Sequence, residues 1–212
     1  MKNANPLLRK KILGVLDSMY PKVKCALHFE SVFQLLVATI LSAQCTDRRV
    51  NMVTPKLFAK FESAEQMASA KINDVEQLIY TTGFYRSKAK YIVGAAKMIV
   101  KEFGGEVPRS MDELLRLPGV ARKTANVVLS VGYGILVGVV VDTHVTRISH
   151  RLGFTRARSP VHIEQDLMKI IPMKNWDRFS LQLIQLGREL CVARKPLCGE
   201  CPLKKLCPSA IA

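Results

Sequence analysis

The sequence predicts an all-α fold built from many short helices. Three observations carry that prediction. Apolar residues recur at helical spacing in several stretches, most clearly over 6–19 and 85–103. Helix-start signatures precede such stretches, and glycine or proline follows them. No stretch joins a sustained period-two alternation to a hairpin turn, the mark of paired strands.

Taken in order, residues 6–19 place Leu7, Leu8, Ile12, Val15, Leu16 and Met19 on one helical stripe, and Tyr20-Pro21 ends it. Residues 31–43 are apolar nearly all round, so this helix belongs deep in a core. Gln44 to Asp47 form a polar break, and Thr46 suits the N-cap of a helix running to about Phe61. Pro55 lies inside that pattern and is expected to kink or split it. Ser63 with Gln66, and Ser110 with Glu113, have the spacing of capping boxes. Asn73 is expected to cap a short helix through Tyr80. Gly83 then breaks the chain before a long amphipathic helix from about Tyr85 to Phe103, closed by Gly104-Gly105. Met111 to Leu117 is a short helix, and further helices are expected over 142–152, 160–171 and 175–190.

The 212 residues suffice for a full core in one or two domains. A hydrophobic content of 49% excludes a largely disordered chain. The net charge of +15 points to nucleic acid as partner, with an anionic membrane surface as the weaker option. The first thirty residues show no signal core or cleavage site. The most apolar stretches, 32–43 and 134–141, fall short of the about 20 residues that a bilayer span needs. The expected location is therefore the cytoplasm, on the nucleoid in a prokaryote, with no membrane partner.

The stretch L-P-G-V-A-R-K-T-A-N-V-V, from Leu117 to Val128, organises the rest. Pro118-Gly119 force a tight hairpin, and Arg122 opens a new helix. The hairpin thus delivers free backbone N–H groups at a helix N-terminus, a ready phosphate site. Lys123 stands on the first turn, where an ammonium is electrostatically disfavoured. Asp142 comes nineteen positions later. A helix from Arg122 to Tyr133 carries the chain about 17 Å away at its ordinary rise. Residues 134–141, read as an extended return, span up to about 26 Å. Lys123 and Asp142 are therefore within reach of each other. Asp142 also precedes a helical pattern, as an N-cap would.

Six cysteines in a cytosolic chain favour metal binding over disulfides. Cys25 and Cys45 stand apart, whereas Cys191, Cys198, Cys201 and Cys207 follow C-x6-C-x2-C-x5-C. Four thiolates in one short loop can wrap a single metal centre. Structural zinc usually shows two close pairs, and iron–sulfur clusters take varied spacings, so spacing alone leaves the metal open. A clamp on Cys191 and Cys198 would push Arg194 and Lys195 outward as a basic finger suited to phosphate contact. Lys204 and Lys205 extend that basic surface.

Four stretches together resemble the endonuclease III family of helix-hairpin-helix DNA glycosylases: L-S-A-Q-C-T-D at 41–47, L-P-G-V-A-R-K-T-A-N-V-V-L at 117–129, V-D-T-H-V at 141–145, and the four-cysteine pattern at 191–207. The resemblance implies two helical domains with a cleft between them. One is a six-helix domain over 25–135, and the other joins 1–24 to 136–212 and holds a [4Fe-4S] cluster on the four cysteines. It implies a bifunctional DNA glycosylase and abasic-site lyase, a monomer acting on double-stranded DNA that carries damaged pyrimidines or abasic sites. Lys123 matches the family nucleophile, Asp142 the catalytic aspartate, and Gln44 the residue that fills the gap left by an extruded base. Gly119 and Ala121 match the backbone-gripping hairpin, where Ala121 replaces the commoner glycine of G-V-G. A glycosylase specific for mispaired adenine would lack the lysine. A thymine–guanine mismatch glycosylase, a non-catalytic DNA-binding scaffold and a zinc-stabilised nucleic-acid binder are the remaining rivals.

Overall fold

The computed structural model describes residues 5–211, and among them every regular element is helical. The α-helices are α1 (Pro6–Met19), α2 (Val32–Leu41), α3 (Asp47–Lys60), α4 (Ala64–Ala68), α5 (Ile72–Ile79), α6 (Tyr85–Phe103), α7 (Met111–Arg116), α8 (Arg122–Val127), α9 (Thr143–Arg151), α10 (Pro160–Ile170) and α11 (Trp176–Glu189). Short 3-10 turns lie at Tyr80–Thr82, Met173–Asn175 and Lys204–Leu206, and a π-helical turn at Val128–Gly132 continues α8.

The described residues fall into two compact units. One is Cys25–Val137, and the other joins Met1–Lys24 to Gly138–Ala212. The first unit contains the α-helices α2 to α8.

In the Cys25–Val137 unit, α2 is the centre of the core, with every residue from Phe33 to Leu41 buried. An isolated helix of that composition would be insoluble, so neighbours must cover it on all sides. Val50, Leu57, Ile92, Ala96, Leu114 and Leu129 belong to the same cluster. The π-turn packs against α2 at Gly132, where a Cβ would come within 3.0 Å of Val32. Cys25 and Cys45 are half-buried against this core and lie far from the cysteine loop in sequence.

Three local expectations need correction. Pro55 does not split α3, which runs unbroken through it. The proline faces solvent while Val50, Val53, Thr54 and Leu57 are buried around it. That burial outweighs the roughly 3 kcal/mol that an interior proline costs. Asn73 is not a cap, because α5 begins one residue earlier, behind Lys71 with no side-chain cap. The Ser63 box is also only half formed. Its hydroxyl accepts from Gln66 N, but the Gln66 side chain returns to Glu62 N.

The other unit is built on α9 and α11, with α1 packed on α11. Ile12, Leu16, Ile148, Phe179, Leu183 and Leu186 are fully buried there. Phe154 and Phe179 stack with centroids 6.0 Å apart. Gln182 joins α11 to the end of α1, its amide donating to Asp17 Oδ1 at 2.9 Å and Leu16 O at 3.3 Å. No helix of the described residues is long and apolar enough to cross a membrane.

Candidate active site and cysteine loop

The hairpin forms a type II turn. Pro118 fixes the second position, Gly119 takes φ +77° at the third, and Val120 N donates to Leu117 O at 3.1 Å. The turn lies against α6, where Tyr91 abuts Gly119, and Pro118 would touch any Cβ on Gly94. Ala121 is the N-cap of α8, with φ −99° and ψ 170° and no side-chain cap bond. Its backbone is ordinary extended conformation, so an alanine is unstrained where the commoner motif has glycine. Ala121, Arg122 and Lys123 are exposed. Ala121 offers the start of α8 no capping oxygen, and a helix start of this kind suits a phosphate.

Gln44 is exposed and takes φ 52°, a left-handed conformation rare outside glycine. Phe84 does the same at φ 48°, with 66% of its surface exposed. It follows Gly83 (φ 70°) at the sharp entry to α6. Strain of this kind persists only where the surroundings enforce it, and it concentrates at functional positions. Phe84 lies outside the residues that the sequence motifs mark as the site. An aromatic residue after glycine at a helix start was the signal.

Asp142, in the other unit, is the N-cap of α9, and its Oδ1 accepts from Val145 N at 2.8 Å. Two residues on, His144 Nδ1 faces Arg147 Nη2 at 3.2 Å. Burial pulls the His144 pKa below its ordinary value of 6.5, and Arg147 and Arg188 push the same way against Asp142. The neutral ring leaves Nδ1 free to accept from Arg147.

Two arginines of α9 hold the start of the cysteine loop. Arg147 donates to Cys191 O (3.0 Å) and Gly187 O (3.2 Å). Arg151 donates to Val192 O (2.8 Å), Ala193 O (3.0 Å) and Cys191 Sγ (3.1 Å). Their four-residue spacing places both on one face of α9. That pattern was visible in the sequence, although its target was not.

Cys191, Cys198, Cys201 and Cys207 line one common cavity with Leu186 and Leu190. None is in a disulfide. Burial raises the thiols of Cys201 and Cys207, and the neighbouring cysteines raise them further. Four thiolates so close need a cationic centre to hold them. A single zinc draws each sulfur to about 2.3 Å, whereas a cluster spreads its ligands around a larger body. Arg194 and Lys195 are exposed at the tip of the loop, and Lys195 takes φ 53°.

Residues 37–173 match the model of the HhH-GPD superfamily of base excision DNA repair proteins, and residues 191–207 that of the iron-sulfur binding domain of endonuclease III. The fold and the hairpin thus define a helix-hairpin-helix repair protein. Endonuclease III of Synechocystis sp. is 58% identical over 202 residues, covering 95% of this chain and 92% of that one. A structure of a non-covalent endonuclease III–DNA complex superposes with a TM-score of 0.93 at 42% identity, covering 98% of this chain and 97% of that one. A trapped endonuclease III–DNA covalent intermediate, an estranged-adenine complex, matches with the same figures. The chain belongs to the endonuclease III family. Its activity is that of a bifunctional DNA glycosylase and abasic-site lyase of base excision repair. Its cofactor is an iron–sulfur cluster.

Proposed function

We propose that this enzyme, acting as a monomer in the cytoplasm, removes oxidised pyrimidines from duplex DNA and then cuts the strand, with Lys123 as nucleophile. The observation that carries this reading is Lys123 itself: an exposed amine on the turn that follows an uncapped, phosphate-ready helix start. A related structure described as a trapped covalent DNA intermediate supports covalent chemistry.

The damaged base must leave the stack before it can be reached, and damage lowers the cost of extrusion. The Lys123 amine attacks C1′ of the sugar with its lone pair, and the C1′–N bond breaks towards the departing base, which takes up a proton. Loss of the amine proton and ring opening leave a Schiff base between Nζ and C1′. Its positive nitrogen acidifies the C2′ hydrogen. Removal of that proton forms a C2′–C3′ double bond and expels the 3′-phosphate. Water then releases Lys123. Asp142 supplies negative charge for the cationic sugar or helps to activate the amine. Gly119 and Ala121 hold the backbone through their N–H groups, Gln44 fills the vacated position, and Arg194 and Lys195 contact phosphate.

Cys191, Cys198, Cys201 and Cys207 would hold the cluster as a [4Fe-4S] centre. The cavity they line and their mutual destabilisation as thiolates fit that group. When bound, the cluster cross-links the loop and fixes its basic tip.

Borohydride reduction of the Schiff base tests the reading. Wild-type protein should form a covalent complex with duplex carrying thymine glycol or dihydrouracil, and Lys123→Gln should form none. Trapping by Lys123→Gln at the wild-type level would remove Lys123 from the mechanism.

A further inference from the structure

Lys88 is the most conspicuous buried charge of the Cys25–Val137 unit. It lies on α6 with only 3% of its surface exposed. Its sequence position places it on the apolar stripe of Ile92, Ala96 and Ile99, all fully buried. Burial pulls its pKa below the ordinary lysine value, with a partly opposing effect from the Cys45 thiol. A buried ammonium on a core stripe is costly and needs strong acceptors. Lys88 Nζ finds two, donating to Leu41 O at 2.8 Å and Thr82 O at 2.8 Å.

Both acceptors are the last residues of helical segments. Leu41 ends α2, and Thr82 ends the 3-10 turn Tyr80–Thr82. The negative ends of two helical elements therefore meet one cation. Three residues beyond Leu41 stands Gln44, and two beyond Thr82 stands Phe84. These are two of the three non-glycine residues with positive φ among the described residues. The ammonium thus pins both segments just before each one turns into its strained corner.

The two corners present complementary chemistry. Gln44 offers an amide that can hydrogen-bond a base left without its partner. Phe84 offers an exposed apolar ring of the kind that enters a base step and unstacks it. Neither corner would hold its left-handed conformation unsupported.

We propose that Lys88 is a positioning residue that ties the Gln44 and Phe84 corners together, so that both enter the duplex as one device when the damaged base is extruded. This rests on the DNA reading above. Lys88 itself touches no DNA in this role, and its effect runs through the two carbonyls.

The test compares substrates. Lys88→Met keeps the length and removes both donors, and Lys88→Arg keeps a charged donor. Each is assayed on thymine glycol in duplex and on the same lesion in a single strand, where no base pair needs to be opened. Lys88→Met should lose about tenfold or more on duplex while staying within about twofold of wild type on the single strand, and Lys88→Arg should recover part of the loss. Fluorescence of 2-aminopurine beside the lesion should rise less with Lys88→Met, because extrusion fails. Added to Gln44→Ala/Phe84→Ala, Lys88→Met should cause little further loss. Equal losses on both substrates, or full additivity with the double variant, would overturn the proposal. Should Lys88→Met fail to fold, Lys88→Gln, whose shorter neutral amide replaces the ammonium, should show a smaller loss on duplex and none on the single strand. Borohydride trapping by wild type is the control. Its absence would count against the glycosylase reading and not against Lys88.

Discussion

Gly119 and Tyr91 are fitted to each other, since a Cβ on Gly119 would stand 2.7 Å from Tyr91 Cβ and 2.9 Å from the ring carbon Cγ. Gly119→Ala therefore meets two separate penalties. The φ of +77° costs an L-residue about 1–2 kcal/mol. The contact with Tyr91 adds displacement of the hairpin from α6. We expect a lower unfolding midpoint in urea and weaker binding to abasic duplex. Tyr91→Ala on the same chain should recover the part of the clash that the ring makes, and leave the 2.7 Å contact with Cβ and the backbone part. A double variant no better than Gly119→Ala would show that the ring contact is incidental.

Ala121 gives the opposite expectation. Its φ of −99° asks for no glycine. Ala121→Gly should leave abasic-duplex affinity within about twofold and lower stability by up to about 1 kcal/mol, because glycine frees the unfolded chain. A clear gain in affinity would mean that the hairpin shifts into a left-handed conformation on DNA.

The helices and the hairpin were legible because their causes are local. Apolar spacing marks α1, α2 and α6, the Pro118-Gly119 pair makes its own turn, and Asp142 caps the helix it precedes. Pro55 and Asn73 misled for a related reason. Local preference indicated a break and a cap, while burial of Val50, Val53 and Leu57 decided for a continuous α3. Lys88 stood in plain view as a charge on an apolar stripe, but its acceptors lie 47 and 6 residues away. The Arg151–Cys191 contact spans 40 residues. Partners of that kind are set by how helices pack, which periodicity does not report.

His144 makes stability depend on pH. Its folded pKa lies below the ordinary 6.5, chiefly through burial. Between those two values the unfolded chain binds more protons than the folded one, so stability rises with pH. The contribution is complete above the ordinary value and is lost as pH falls through the folded one. The melting temperature should drop between about pH 7.5 and about pH 5.5, the range in which histidine titrates. His144→Asn should flatten that slope, since it removes the titrating ring. An equal slope in the variant would assign the acid sensitivity to another group.

Arg151 links the helix that begins at Asp142 to the loop that ends in basic residues. Its guanidinium satisfies Val192 O and Ala193 O and donates to Cys191 Sγ. Arg151→Met leaves those carbonyls to water, which the half-exposed loop can supply, so the fold should survive while the loop loosens. Trypsin reports this directly, because Arg194 sits at the exposed tip and Lys195 is shielded by the proline that follows it. Cleavage after Arg194 should accelerate by about tenfold in Arg151→Met, as expected for a segment whose local opening has become easier. Removing iron with a chelator under reducing conditions should expose the same bond in wild type, because the cluster and Arg151 restrain the same end of the loop. Affinity for duplex should fall in both cases, and the loss should shrink at high salt, because the contacts of the basic tip are to phosphate. Unchanged proteolysis in Arg151→Met would show that the cysteines alone hold the basic tip in place.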